Sequence, residues 1–366
     1  MKIALLGDIA PFGRCCVRER PNLLSELDKV AEALRGHDVV IGNLETPFIG
    51  DEKPVGSKSA HVKSHPDNVM ILRHLGVTHV TLANNHIFDY GVDGYNRTTD
   101  LLEKNNIGWF GTEDRSLRLE VDSEKIALLG YCSLNTNPSQ QTMAGKQGLN
   151  LLDVDRVMAD MEDCRQSGYL PIVAVHSGQE HVHTPSSEDV AFARKLASKY
   201  SYVYYGHHPH VIQGKELVDG SPIFYSLGNF LFDDVYTPRD PDKPLIRLSE
   251  ANRTGIVVSL DVQNGAVQSS RVLPIHIGPD RIRFDHEVSG FAADEFDPAL
   301  RTAGSDGYNA SRGAAIESYI GGRRSLRDMK WYLRRLNPAS AGIILAARRN
   351  AKRHAEIFSS KVSRWS

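Results

Sequence analysis

The stretch Tyr205-Gly206-His207-His208-Pro209-His210 places three histidines within four positions, directly after the apolar run Tyr202 to Tyr205. Imidazole is the commonest metal-binding side chain, and the proline between His208 and His210 stiffens the turn that carries them. On a loop leaving a strand, alternate residues can aim at two neighbouring ions. Two ions need more ligands than one loop holds, so further donors must come from other strand ends.

Those strand ends are visible. Lys2 to Leu6 is an apolar strand ending at Gly7-Asp8. Asp38 to Ile41 is a second, ending at Gly42-Asn43-Leu44-Glu45. Val77 to Leu82 is a third, ending at Asn84-Asn85-His86, and Leu170 to Val175 runs into His176. Between them lie helical patterns: Leu23 to Leu34, Pro66 to Leu75, Asp93 to Lys104, Asp153 to Gln166, and a helix through Lys199 capped by Ser186 with Asp189 three positions on. This βαβ grammar predicts an α/β fold with helices packed against buried sheet. Lys2-Ile-Ala-Leu-Leu-Gly7 recurs as Lys125-Ile-Ala-Leu-Leu-Gly130. The repeat reads either as two generic buried strands or as equivalent strands of a two-fold architecture. Later strands, Gly214 to Val218, Pro222 to Leu227, Gly255 to Leu260 and Ala266 to Pro274, are joined by turns. Residues 235–254 read as a long polar loop and 280–313 as a glycine-dotted connector.

The chain has 366 residues, with 41% apolar and 24% charged content, ordinary for a globular protein. Its net charge of -2 conceals an asymmetry. Residues 321–366 hold twelve Lys/Arg against Asp328 and Glu356, so the tail carries +10 and the rest about -12. The expected division is a body, 1–279, and a connector plus basic helical extension, 280–366, interrupted near Asn337-Pro338. Four scattered cysteines without a Cys-x-x-Cys exclude a disulfide framework and a zinc ribbon, and fit a reducing compartment. No signal peptide and no apolar run of spanning length is visible, so the expected location is cytoplasmic.

In open α/β sheets, sites form outside the carboxyl ends of strands. Five strand ends here carry carboxylate, amide and imidazole groups. Mixed oxygen and nitrogen donors suit borderline divalent ions such as Mn, Fe, Zn or Co. A carboxylate can bridge two of them, and two ions about 3.5–4 Å apart clamp a phosphate and activate water.

Six motifs occur in order: Gly7-Asp8, Gly42-Asn-Leu-Glu45-Thr-Pro47, Leu82-Ala-Asn-Asn-His86-Ile-Phe-Asp89-Tyr-Gly91, His176-Ser-Gly178, Gly206-His-His-Pro-His210 and Tyr225-Ser-Leu-Gly-Asn229-Phe230. Over residues 2–233 the chain resembles the CapA-type capsule and poly-γ-glutamate synthesis family, a branch of the calcineurin-like metallophosphoesterases. The resemblance implies an αββα sandwich with two divalent metals, manganese favoured. It implies Asp8, Glu45 and His210 on one metal, with Glu45 as a bridge, and Asn85, His176 and His208 on the other. It makes His86 the histidine that steadies the phosphoryl oxygen or protonates the leaving group, oriented by Asp89. Asn43 becomes a supporting or direct ligand, and Asn229 lines the pocket. The implied reaction is attack of a metal-bound hydroxide on phosphorus during capsule or exopolymer biosynthesis. The alternatives are an accessory protein binding an anionic polymer or lipid-linked intermediate without cleaving it, and an amide hydrolase of a γ-linked polymer.

The chain departs from the family pattern. Ala10 stands where the superfamily has histidine, Ser177 follows His176 in place of an aromatic residue, and Glu180-His181 replaces an acid-aromatic pair, adding His181 and His183 to the rim. Arg14, in a glycine-containing loop six residues after Asp8, is a candidate fork for an anionic substrate. Cys15 and Cys16 read as small buried thiols near the site, and His207 as either a ligand neighbour or a packing residue. The other histidines lack a convergent context. The basic tail has three readings: a solvated end, a contact with the anionic inner face of a membrane through Trp331, Tyr332, Leu333 and Leu336, or a protein-binding segment. No nucleic-acid motif accompanies its charge.

Overall fold

A computed structural model describes the chain apart from residues 57, 140–141, 144–145, 239, 285–296, 326–328, 330–337 and 366. Two sheets form its centre. In the eight-stranded sheet, Lys2–Ile9, Val39–Leu44, His79–Thr81 and Gly108–Phe110 run parallel, and Thr254–Gln263, Ala266–Ile277 and Ile282–Phe284 extend it antiparallel. The short strand Asn229–Leu231 pairs with the end of the first strand. In the six-stranded sheet, Glu124–Cys132, Leu170–His176, Val203–His207 and Ser221–Phe224 are parallel, with Leu117–Val121 and Lys215–Val218 as antiparallel edges. The two Lys-Ile-Ala-Leu-Leu-Gly segments fall in different sheets, which favours the two-fold reading of the repeat.

Strand periodicity decides the layers. Side chains two apart share a face, so Ile3, Leu5, Val39 and Ile41 meet Ile126, Leu128, Ile172, Val203 and Tyr205 in a core between the sheets. Their neighbours Ala4, Leu6, Val40 and Leu44 face outward onto Leu27, Val30, Leu72 and Leu102 of the helices beside the first sheet. Ala127, Leu129, Val173 and Val175 face Val157, Met161, Val190 and Leu196 on the other side. The layering is helix, sheet, sheet, helix, as expected. The helix Ser187–Ala197 begins as its sequence requires: Ser186 Oγ accepts from Asp189 N at 3.0 Å and donates to the Asp189 carboxylate at 2.6 Å. Asp153 caps Val154–Ser167, and Gly168 ends it at a φ of 72°.

Several elements differ from expectation. The helix read over Leu23 to Leu34 is two segments, Leu23–Glu26 and Asp28–Leu34. The strands Gly108–Phe110, Leu117–Val121, Asn229–Leu231 and Ile282–Phe284 are additional. The polar loop 235–254 buries Val235 and Leu248 with Ala10, Val62 and Phe232. The helix Asp306–Ser325 starts inside the stretch read as connector.

The described part of the basic tail is anchored to the body at several residues, while Ile344, Leu345, Arg348, Arg349 and Lys352 are exposed. Pro338 opens the helix Pro338–His354, a first-turn position that proline tolerates. Beyond it Phe358 lies 5.1 Å from Phe192 ring to ring, and Asn350 Nδ2 donates to Asn137 Oδ1 at 2.8 Å. His354 and Ser133 are hydrogen-bonded partners at 3.2 Å. The aromatic and leucine residues 331–336 lie outside the described residues. Among the described residues, no helix is long and apolar enough to cross a membrane. All four cysteines are buried and unpaired.

The strand that delivers the histidines runs close behind another segment. A Cβ on Gly206 would stand 1.9 Å from the backbone oxygen of Tyr225, which cannot swing aside as a side chain would. Gly206→Ala should therefore cost about 3 kcal/mol of stability, seen as a lowered thermal midpoint or loss of soluble protein. A midpoint equal to that of the parent chain would show that the segment at Tyr225 yields.

Candidate metal centre

The carboxyl ends of both sheets open on the same side, and the predicted donors meet there. Asp8 and Asn43 end adjacent strands of the first sheet in matching register. Asn43 Nδ2 donates to Asp8 Oδ1 at 2.8 Å, and Asn84 Nδ2 donates to Asn43 Oδ1 at 3.1 Å. From the second sheet, His176 and His207 end neighbouring strands in register. His176 Nε2 lies 3.0 Å from Asn85 Oδ1 and 3.7 Å from Glu45 Oε1. His207 Nδ1 lies 3.1 Å from Asp8 Oδ1, so this histidine joins the cluster from beneath. His210 Nε2 is 3.6 Å from Glu45 Oε1, and its Nδ1 is 2.9 Å from Asn229 Oδ1.

The loop holding these rings is strained. His208 and His210 adopt φ values of 94° and 55°. Non-glycine residues there cost of order 1–3 kcal/mol, and such strain persists only where surroundings over-determine it.

Two ligand groups converge. Asp8, Glu45 and His176 offer atoms within 4.8 Å of one another, and so do Glu45, His208 and His210. Glu45 belongs to both. The partition differs from the expected one: by distance alone His176 stands with Asp8, and His208 with His210. Arg14 does not join the cluster. Its guanidinium is held by Asp233 at 3.1 Å and Asp234 at 3.3 Å, beside a separate cleft. His183 is exposed and bonded to the Ile212 carbonyl. Ala10 packs with Phe232, whose ring lies 4.6 Å from that of His210.

Asp8 and Glu45 are completely buried. Burial raises the Asp8 pKa, but His207 and His210 hold it well below the usual carboxylate range. Burial, then the neighbouring Asp8 charge, pushes Glu45 well above its ordinary value. Burial alone would lower His210, yet Glu45 and Asp8 raise it to about 10. Burial keeps His208 neutral, down to about 3, and pulls His176 well below its ordinary value. Both Glu45 oxygens and His208 Nδ1 are buried without a hydrogen-bond partner. A buried carboxylate with no donor calls for a cation, and neutral imidazoles with carboxylates are the donors a divalent ion takes. The residues present therefore fit such an ion.

Above the carboxylates lies a cavity of 230 Å³ lined by His86, Glu180, His181, His208 and His210. This is smaller than the ~300–1,000 Å³ of drug-sized sites and suits a small group or a chain end. His86 Nδ1 is 2.6 Å from Asp89 Oδ2, as the three-residue spacing suggested. Lys58 was missed by sequence reading. Its buried ammonium donates to Asp89 Oδ1 and to the Asn85 carbonyl, each at 2.6 Å, and lies 3.1 Å from His86 Nδ1. It comes from an irregular polar loop, where neither periodicity nor spacing marks one lysine among several. Burial and Lys58 lower the His86 pKa, while Asp89 acts against them.

The chain is similar to several known proteins. The B. subtilis (strain 168) PGA biosynthesis protein CapA is 29% identical over 269 residues, 70% of this chain and 69% of that protein. The Bacillus anthracis capsule biosynthesis protein CapA is 28% identical over 252 residues, 65% of this chain and 61% of that protein. Among solved structures, the NAD nucleotidase of Haemophilus influenzae aligns with a TM-score of 0.44 and 13% identity, over 89% of this chain and 60% of that one. Residues 2–234 match the profile described as bacterial capsule synthesis protein PGA_cap, and the chain belongs to that family.

Proposed function

We propose that the protein is a metal-dependent hydrolase of phosphate esters acting in bacterial capsule or exopolymer biosynthesis. The observation that carries this reading is the pair of unpartnered Glu45 oxygens, buried among the site imidazoles beside a cavity whose wall holds Lys58 and His86, both bonded to Asp89. Asp8, Glu45, Asn85, His176, His208 and His210 would hold two divalent ions. When bound, such ions supply Lewis-acid polarisation of phosphoryl oxygen and lower the pKa of water.

The chain's own residues do the rest. Asn43 and the His208 backbone N–H, the latter at 3.3 Å, fix the Asp8 carboxylate, and Asn229 fixes the His210 ring. Lys58 holds Asp89 ionised, since burial alone would favour the neutral acid. Asp89 accepts a hydrogen bond from the Nδ1–H of His86, which leaves Nε2 as the working nitrogen. Burial and Lys58 disfavour the imidazolium form of His86, and the negative charge of a phosphoryl group beside it would favour that form. Water attacks phosphorus and loses a proton to solvent, the ester bond opposite breaks, and the departing oxygen takes a proton from His86 Nε2.

A second reading, binding without cleavage, draws support from Ala10. The position where the superfamily has an imidazole is a methyl group in an apolar cluster, so one ion would have fewer nitrogen donors.

Manganese-loaded protein should hydrolyse p-nitrophenyl phosphate, and His86→Ala should lower kcat by about 10²-fold or more while keeping its metal content. His208→Ala should lose bound metal by elemental analysis. Fully loaded, folded protein that cleaves nothing in a panel of phosphomonoesters and diesters would decide for the binding reading.

We also infer peripheral contact with an anionic membrane through the helix Pro338–His354. Ile344 and Leu345 are exposed there at 56% and 65%, beside exposed Arg348, Arg349 and Lys352. Vesicles containing phosphatidylglycerol should sediment the full chain, and less of an Ile344→Asp/Leu345→Asp variant. Equal sedimentation of both would reject the contact.

A further inference from the structure

One wall of the cavity comes from outside the family-matched residues. The family match ends at residue 234, yet the helix Asp306–Ser325 reaches the mouth of the cavity and places Arg323 in its lining. The helix is seated by specific contacts. The buried Tyr308 hydroxyl donates to the Pro185 carbonyl at 2.9 Å, Arg312 Nε donates to the Thr184 carbonyl at 3.1 Å, and Ser187 Oγ donates to Asn309 Oδ1 at 2.6 Å. Near its end, Tyr319 stacks on His181, with ring centres 4.7 Å apart and planes 27° apart. His181 is fixed in turn by Asn252 Nδ2 at 2.7 Å from its Nδ1, and its Nε2 is buried without a partner.

Arg323 rests loosely on this platform. Among the described residues, its polar contacts are the Tyr319 hydroxyl at 3.3 Å and Glu180 at 4.0 Å, and its guanidinium carbon lies 5.8 Å from the centre of the Tyr319 ring. Two other arginines of this chain are gripped by carboxylates. Arg194 meets Glu216 at 2.7 Å and 3.0 Å, and Arg253 meets Asp234 at 2.9 Å. A guanidinium offers five N–H donors in a rigid fork that matches carboxylate and phosphate oxygens. Two long contacts leave most of that fork unused.

We propose that Arg323, supported by Tyr319 and His181, is a second anion subsite that takes a carboxylate or phosphate group of the substrate, apart from the group held over Asp8 and Glu45. This rests on the hydrolase reading for what occupies the other end. It makes the helix Asp306–Ser325 a specificity element for a substrate with two separated anionic groups. A polymer end carrying acidic substituents has that chemistry, and so does a small molecule with two acid groups.

The test is calorimetric binding to manganese-loaded full-length protein, which needs no turnover. Alkylphosphonates with chains of two to five carbons are compared with phosphonocarboxylates and bisphosphonates of the same lengths. At least one length should bind about tenfold more tightly with the second acid than without it, as a charge-assisted contact predicts. Arg323→Ala should erase that difference, and Arg323→Lys should keep part of it. The subsite is overturned if no length gains from a second acid, or if the gain survives Arg323→Ala. Failure of even plain alkylphosphonates to bind would count against the hydrolase reading instead. Glutarate and adipate would then replace them, with loss of their binding in Arg323→Ala still expected and its persistence overturning the subsite.

Discussion

Two carboxylates without access to water dominate this protein. Asp8 and Glu45 are fully buried, close enough that the charge of one raises the pKa of the other. Isolated buried charges are costly by many kcal/mol, so the surrounding structure must answer them. His207 and His210 answer Asp8. Nothing among the described residues donates to Glu45. The strained backbone at His208 and His210 and the glycine behind His207 all serve to hold imidazoles around this pair. A proton on His210 offsets part of the charge, and a divalent ion would offset more of it.

The two-sheet architecture makes that convergence possible. The first sheet contributes the acids and amides, Asp8, Asn43, Glu45 and Asn85, and the second contributes His176 and the 207–210 loop. Asn43, His176 and His207 follow the alternation of their strands, and a bulge between Leu5 and Asp8 turns Asp8 to the same side. A shift of one residue in Lys2–Ile9 would turn Ile3 and Leu5 out of the core between the sheets and Asp8 away from the histidines together. Stability and site geometry are therefore tied to the same register, and the inner core does more for the metal centre than any local contact.

Much of this was legible in the sequence because the informative residues stand at strand ends, where apolar runs stop abruptly on polar groups. Asp8, Asn43, Asn85, His86 and His176 all carry that mark. Residues that reach the site from irregular backbone do not. Lys58 sits in a polar loop, and its role comes from long-range contacts with Asp89 and Asn85. Arg323 lies on a helix whose composition reads as basic and solvated, and its place at the cavity mouth depends on how Tyr308 and Arg312 seat that helix. Arg14 erred in the opposite direction. Proximity in sequence to Asp8 suggested a substrate contact, whereas Asp233 and Asp234, over 200 residues away, claim its guanidinium.

Ala10 gives the proposed pair of ions an asymmetry with chemical consequences. By distance, Glu45 would serve both positions, His208 and His210 would give one of them two imidazoles, and Asp8 and His176 would give the other a carboxylate and one imidazole. Ala10, a methyl group in an apolar cluster, adds no further nitrogen. Imidazole donors favour zinc, iron and copper, whereas oxygen-rich sets suit manganese and magnesium. The oxygen-rich position should therefore bind its ion less tightly and exchange it more readily. The Lys58–Asp89–His86 group gains weight in that case, because it rests on hydrogen bonds within the protein and stays oriented whether or not the weaker position is filled. Proton delivery and metal occupancy are thus separable properties of this site.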